Sequence, residues 1–298
     1  MLTQQVVRLL KCEALRCAVV NRYAEPAASS CLQALGCRKI QDIPLTCYLP
    51  PPAQSGGDVA SPRVPASRQT KEGLLYHYSL NVSSVFPVLA LELQPRDSVF
   101  DMCAAPGGKA FAILQQISLE GGLAVNEPIS SRLARLRSVV RSCLPLHLRQ
   151  SVRFTRRRGE EWAEIERDEY DKVLVDAPCS SDRYCVSEWQ KGRYYPESAR
   201  LSALQVKLLV AGLVALKRGG TLVYSTCTLA EGENDEVVRA AQAMAKEGLA
   251  PEFHCVEMEE WGGLEEVCNL QKTELGVLVT PEEGKNSGPT YIAKCHKP

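Results

Sequence analysis

Two cysteines stand where apolar runs give way to loops: Cys179 in "DAPCSS", residues 176 to 181, and Cys227 in "YSTCTL", residues 224 to 229. An ordinary thiol has a pKa of about 8.5, so a nucleophilic cysteine needs a polar or cation-assisted setting. Buried structural cysteine is common and explains either residue taken singly. Two thiols on one rim, one of them beside Asp176, suit a more specific chemistry, the methylation of a pyrimidine at carbon 5. That carbon is a poor nucleophile until a thiolate adds to carbon 6, which makes an enamine able to attack an electrophilic methyl group. Afterwards the carbon-5 proton must leave and the thiolate must be expelled. A second cysteine can assist that release, and a carboxylate such as Asp176 can support charge on the base during attack.

The methyl donor has a candidate seat. In "FDMCAAPGGKA" small residues fall where a strand hands over to a helix, so the backbone can come close to a ligand. A dinucleotide-binding turn reads G-x-G-x-x-G, and this one does not. The next strand ends at Glu127, 18 residues beyond Lys109, the position of a carboxylate that grips ribose hydroxyls. A ribose-bearing cofactor without a pyrophosphate is expected, and S-adenosyl-L-methionine fits. A glycine turn that only lets helix pack on strand is the plainer alternative.

The elements that must position these residues alternate. "SVFDMCA" reads as a strand, "KAFAILQQI" as a helix and "GLAVNEP" as a strand. "SSRLARLRSVVRSCL" is a helix with Leu133, Leu136, Val139, Val140 and Leu144 on one face. "SVRFT" and "DKVLVDAP" are strands, "RLSALQVKLLVAGLVALKRGG" a long helix with a glycine stop, "TLVYSTC" a strand, and "NDEVVRAAQAMAKEG" a helix, while "EFHCVEM" and "TYIAKCH" close as strands. The expected fold class is α/β, a Rossmann-like doubly wound, mostly parallel sheet with an antiparallel last strand. Ligands then sit outside the carboxyl ends of the strands, where Cys103, Cys179 and Cys227 all fall. Residues 50 to 70, rich in Pro, Ser and Gly, read as a linker. They divide a short N-terminal appendage (1–70), too small for its own core, from the main domain (71–298).

At 298 residues with 45% hydrophobic and 23% charged content the chain can bury a large core, and no run reaches the length of a membrane span. Thirteen cysteines without C-x-x-C pairs or a signal peptide argue for a reducing compartment and against disulfides or a zinc ribbon. Residues 1 to 25 suit an amphipathic organelle-targeting segment or an ordinary surface helix. Net charge is zero but unevenly spread. Nine arginines lie between Ile129 and Gly159 with no acid among them, whereas fourteen acids face three bases from Glu231 to Glu283. Such asymmetry lets a neutral protein show one face to phosphates, although solvated helix faces produce it too. Tyr184, Trp189, Tyr194 and Tyr195 are candidates for stacking on bases or for anchoring a loop.

"DMCAAPGGK", "DKVLVDAPCSSDR" and "GGTLVYSTCTL" together resemble the Fmu/Sun type of RNA cytosine-5 methyltransferase, from about Cys17 to the end of the chain. The resemblance implies Cys227 as nucleophile and Cys179 as the residue assisting release, with Asp176 in support. DNA cytosine methyltransferases, by contrast, use the Pro-Cys thiol for attack. It implies S-adenosyl-L-methionine held by Cys103, Ala104, Ala105, Pro106, Gly107, Gly108 and Lys109, with Glu127 on the ribose and Arg132 and Asp176 nearby. Where relatives carry an acid after the third strand for the adenine amino group, "TRRRGEEW" places Arg158, with Glu160 or Glu161 as substitutes. "YHYSLNVSSVFPVLALEL" and "LGVLVTPEEGKNSGPTYIAK" look most like mitochondrial members, which implies the mitochondrial matrix, no membrane and no metal. The implied target is a mitochondrial tRNA anticodon-loop cytosine, with small-subunit ribosomal RNA or a non-catalytic ribosome-assembly role as alternatives. The lead-in from "CAVVNRYAEP" looks cropped beside such relatives, so an RNA-binding protein partner is a further expectation.

Overall fold

The computed structural model describes residues 4–52, 63–118, 120–189, 198–258 and 261–298. Helix α1 (Gln4–Lys11) leads into strand β1 (Arg16–Val20), helix α2 (Ala27–Ala34), and strands β2 (Arg38–Lys39), β3 (Cys47–Leu49) and β4 (His77–Asn81). These strands form an antiparallel sheet in the order β2-β3-β1-β4. The expectation that the N-terminal segment holds no core is corrected here. Ala18, Val20, Ala28, Leu32 and Tyr48 bury one another on one face, while Cys17, Val19, Cys47 and Leu49 join the main core on the other. The physical reason is β4, which lies beyond residue 70, pairs along the whole of β1, and gives the sheet a second face against the rest of the chain.

Next come α3 (Phe86–Ala90), β5 (Val99–Asp101), α4 (Gly108–Leu114), β6 (Leu123–Asn126), α5 (Ser130–Cys143), β7 (Val152–Thr155), β8 (Tyr170–Asp176), α6 (Asp182–Trp189), α7 (Ser198–Ala215) and β9 (Leu216–Thr226). The chain ends with α8 (Asp235–Lys246), β10 (His254–Cys255), β11 (Asn269–Lys272), β12 (Val277–Thr280) and β13 (Thr290–His296). The large sheet runs β11-β12-β13-β9-β8-β5-β6-β7, with β10 also on β13. Strands β5 to β9 are parallel, and β13 runs antiparallel to β9, as the alternation and the closing strand predict.

Val173, Leu174 and Val175 in β8, and Leu222, Val223 and Tyr224 in β9, are fully buried, as central parallel strands covered on both faces should be. Helix α5 buries Leu133, Leu136 and Val140 toward the core, with Leu144 just beyond its end and Val139 half-buried. The long helix stops at Ala215 rather than at the glycines. There the chain enters β9 through a register shift against β8, and Gly219, at φ 76°, makes the bend. The β11–β12 hairpin was not expected from the sequence. Among the described residues no helix is long and apolar enough to cross a membrane, and no cluster of three or more His, Cys, Asp or Glu could hold a metal.

Candidate active site

The register of the central strands builds the site. Asp176 at the end of β8 pairs with Ser225 near the end of β9. Three residues past Asp176 and two past Ser225 the chain presents Cys179 and Cys227, whose Sγ atoms lie 3.1 Å apart. The Cys227 amide also donates to Cys179 Sγ at 3.2 Å. From above, Lys109 of α4 reaches Asp176 Oδ2 at 2.7 Å, and Ser225 donates its hydroxyl to Asp176 Oδ1 at 2.9 Å.

These contacts separate the two thiols electrostatically. The hydrogen bond from Cys179 holds Cys227 below the ordinary thiol range, against the pull of burial, with Ser181 and Lys109 lowering it further and Asp176 opposing. The same bond and burial push Cys179 far up, so it stays a thiol. These opposite directions make Cys227 the more acidic of the two thiols and Cys179 the one that keeps its proton. Burial pulls Lys109 down, but Asp176 more than offsets it and the net shift is upward, which keeps the ammonium charged. Cys103 is pushed well up by burial and by Asp101, Asp176 and Glu127, and is an inert thiol.

A cleft of about 420 Å³ opens beside the thiols. It is lined by Met102, Cys103, Ala105, Lys109, Glu127, Arg132, Asp176, Cys179 and Cys227, together with Ser84, Pro128, Gly159, Glu160 and Leu208. Eight of the sequence-selected residues thus meet there. Ala104, Pro106, Gly107 and Gly108 do not line it: Pro106 is exposed, and the two glycines are packed behind the wall. A Cβ on Gly107 would meet Leu136 and Val139 of α5 at 3.1 Å, and one on Gly108 would strike Leu80 of β4 at 2.6 Å. The glycines admit helix and sheet to the turn, and Gly107 adopts φ 114° to start α4.

Glu127 is buried at the end of β6, accepts the Ile129 amide at 2.8 Å and faces Arg132 at 3.2 Å. Arg132 in turn donates to Ala105 O at 2.9 Å, so it braces both the carboxylate and the turn. Arg158 points away into exposed pairs with Glu160 and Glu161, while Glu160 stands in the cleft wall. Asp101, fully buried beneath the turn, has no hydrogen-bond partner on either carboxylate oxygen. Burial and Asp176 push its carboxyl up to about 8, opposed by Lys109 and the nearby Cys103 amide. A buried acid at the end of β6 that lines a cleft of this size fits a nucleoside carrying an amino-acid tail.

Several residues of the site carry no motif that sequence reasoning could use. Asn126 ties β5 to β7 by donating to Met102 O and Arg157 O. Gln205 of α7 donates to Pro178 O at 2.8 Å, and Glu233 accepts the Ser180 amide at 2.9 Å. Ser225 was visible within "YSTC" but was not selected. Of the candidate stacking residues, Tyr184 is 63% exposed, whereas Tyr194, Tyr195 and the Trp189 side chain lie outside the described residues. The arginines disperse: Arg153 pairs with Glu166, Arg149 bonds the carbonyls of Leu144 and Arg141, and Arg137 lies over Phe154. Arg156, exposed and bonded to Ser130 Oγ, and Arg157 stay on the rim of the β6–β7 edge.

A doubly wound sheet with a nucleoside-sized cleft and two thiols at the tips of its central strands is the arrangement that a thiol-using methyltransferase would need. Comparison with known proteins agrees. Residues 88–293 match the family described as 16S rRNA methyltransferase RsmB/F, and the chain belongs to that family. It is 40% identical over 256 residues to the 5-cytosine rRNA methyltransferase NSUN4 of Mus musculus, covering 82% of this chain and 65% of that one. It is 38% identical over 244 residues to a mitochondrial tRNA (cytosine(34)-C(5))-methyltransferase of the same organism, covering 79% and 68%. The chain thus spans just under two thirds of the rRNA methyltransferase it matches. The solved structure "Crystal Structure of PH0851" superposes with a TM-score of 0.74 at 20% identity, covering 99% of this chain and 62% of that one, and so shares the fold.

Proposed function

We propose that this protein methylates carbon 5 of a cytosine in structured RNA, using S-adenosyl-L-methionine and a covalent bond from Cys227 to carbon 6. The observation that carries this reading is the 3.1 Å thiol pair, in which one sulfur is lowered and the other raised from the ordinary thiol range. Neither a scaffold nor a small-molecule methyltransferase has a use for that arrangement.

The chain's own groups divide the work. Cys227 Sγ adds to carbon 6, while Asp176, clamped by Lys109 and Ser225, stabilises the proton gained on the base. Bound cofactor supplies the electrophilic methyl group; Glu127 is proposed to hold its ribose and Glu160 its adenine amino group, in place of the acid missing at Arg158. Met102, Cys103, Ala105 and Lys109 form the wall on which it rests, with Ala104, Pro106, Gly107 and Gly108 shaping the turn. After transfer the carbon-5 proton passes to water in the cleft, its bonding pair re-forms the ring double bond, and the carbon 6–sulfur bond breaks to return Cys227 as thiolate, which the Cys179 thiol stabilises by hydrogen bonding. A base stacked in a helix is out of reach, so the target is a loop or an extruded nucleotide.

The proposed substrate is a mitochondrial tRNA anticodon-loop cytosine, acted on in the mitochondrial matrix. The 40% identity to an rRNA enzyme favours a second reading, small-subunit ribosomal RNA. An RNA-binding protein partner belongs to the same proposal, as does the division into an N-terminal appendage and a methyltransferase domain from residue 71.

The test incubates Cys179→Ala with total organellar RNA and cofactor and looks for a protein–RNA adduct on denaturing gels. An adduct that vanishes in Cys179→Ala/Cys227→Ala is expected, and sequencing the trapped RNA identifies the substrate. No adduct from a Cys179→Ala protein that still binds cofactor and RNA would overturn the covalent reading.

A further inference from the structure

The loops carrying the two cysteines are not held alike. The Cys227 loop anchors itself: Thr226 Oγ1 donates to Asn234 Oδ1 at 2.6 Å, Asn234 Nδ2 to Thr228 O at 3.0 Å, and Tyr224 Oη to the backbone oxygen of Glu233 at 2.7 Å. The Cys179 loop is anchored largely from outside. The amide of Ser180, next to Cys179, donates to Glu233 Oε2 at 2.9 Å. Gln205 Nε2 donates to that same oxygen at 2.9 Å and to Pro178 O, on the other side of Cys179, at 2.8 Å. Glu233 is fully buried and arises from the loop that follows Cys227. Its carboxylate is thus the strut by which the nucleophile's loop fixes the position of the other thiol. Side-chain bridges between Ser180 and Thr228 at 2.9 Å, and from the Leu229 amide to Asp182 at 2.6 Å, extend the join.

We propose that Glu233 is a positioning residue for product release: through the Ser180 amide and Gln205 it holds Cys179 in register with Cys227, and it bears on attack only through the hydrogen bond that Cys179 gives Cys227. The inference rests on the covalent reading above. Removing the carboxylate leaves the self-anchored Cys227 loop intact and frees the Cys179 loop. Attack and methyl transfer therefore persist, moved toward higher pH as the Cys179 bond weakens, while resolution of the adduct fails. A displacement on the order of 1 Å is enough to cost about 100-fold in such a step.

The experiment uses the RNA trapped by Cys179→Ala and compares wild type, Cys179→Ala, Glu233→Ala and Glu233→Gln. Single-turnover methyl transfer and adduct lifetime are followed separately, with cofactor binding and thermal melting as controls for folding. Glu233→Ala is expected to transfer its methyl group and then retain the RNA, with an adduct lifetime roughly 10- to 100-fold above wild type. Glu233→Gln is expected to recover release, because its amide oxygen still accepts the Ser180 amide and Gln205, whose Oε1 has no partner, can rotate to meet the new amide. The inference is overturned if Glu233→Ala releases RNA at the wild-type rate, if it loses methyl transfer and release together, or if Glu233→Gln fails as badly as alanine. Should Glu233→Ala not fold, Gln205→Met, which removes the second brace, carries the same test with the same two outcomes. Absence of an adduct in Cys179→Ala would instead defeat the covalent reading itself.

Discussion

At the scale of single residues, the site works by making two chemically identical side chains different. Cys227 is lowered chiefly by the hydrogen bond from Cys179, so its thiolate forms at a lower pH than that of a free thiol. The rate of Cys227 alkylation by iodoacetamide is expected to rise with pH earlier than for an ordinary cysteine. Cys179→Ala, lacking the donor, should move that rise to higher pH; superimposable profiles for the two proteins would refute the pairing. Asp101 makes a second, opposite use of burial. Its folded pKa of about 8 stands above the ordinary 3.8, so the folded state binds more protons than the unfolded one between those values. Stability contributed by the protonated form is complete below pH 4 and declines as pH rises toward 8. Thermal melts of Asp101→Asn should lack this decline, and the variant's advantage over wild type should widen from pH 4 to pH 8.

At the scale of elements, α1 is bound to the catalytic edge through one side chain. Arg183, directly after Asp182 in α6, donates to the carbonyls of Leu9 at 3.1 Å, Cys12 at 2.7 Å and Gly288 at 2.6 Å, and to Asn286 Oδ1 at 2.7 Å. A largely buried guanidinium thus caps the end of α1 and pins it to the loop before β13. Replacing Arg183 with Leu should cost roughly 2 kcal/mol, and lower the melting temperature by about 4 °C or more. Lys at this position should recover only part of the loss, since its single ammonium cannot span four acceptors. The basic, amphipathic residues of α1 also suited a targeting segment, because its partner lies some 170 positions away in the sequence. By contrast β5, β6, β8, β9 and β13 could be read directly, their apolar runs being continuous and bounded by turn residues. The β11–β12 hairpin could not: "NLQK" has no apolar alternation, and β12 is held between β11 and β13.

At the scale of the whole molecule, the arginine-rich stretch is less uniform than its composition suggests. Arg153 and Arg149 serve the fold, Arg137 lies over Phe154, Arg132 serves Glu127, and Arg158 is occupied by two glutamates; of the exposed Arg135, Arg141, Arg156 and Arg157 that remain, the adjacent Arg156 and Arg157 are the pair to test. Reversing both charges should weaken RNA binding at every sequence alike and reduce the slope of log affinity against log salt by about 1 to 2. Unchanged affinity and slope would move the RNA path elsewhere. The motif residues of the site were legible because the chemistry dictates their types. Glu233, Gln205 and Asn126 were not, because their importance comes from which backbone groups they reach across the fold.

The place of β13 bears on how this protein is made. The strand comes after every other described strand in the chain, yet it lies inside the large sheet, between β9 and β12. During synthesis β9, which delivers Cys227 at its tip, must wait as an unpaired edge until residue 296 has cleared the ribosome. Nascent chains stalled between residues 228 and 289 would carry every residue proposed for catalysis and still lack the strand that completes the sheet around them. The sheet around the proposed active centre is therefore completed only after the residues of that centre have all been made.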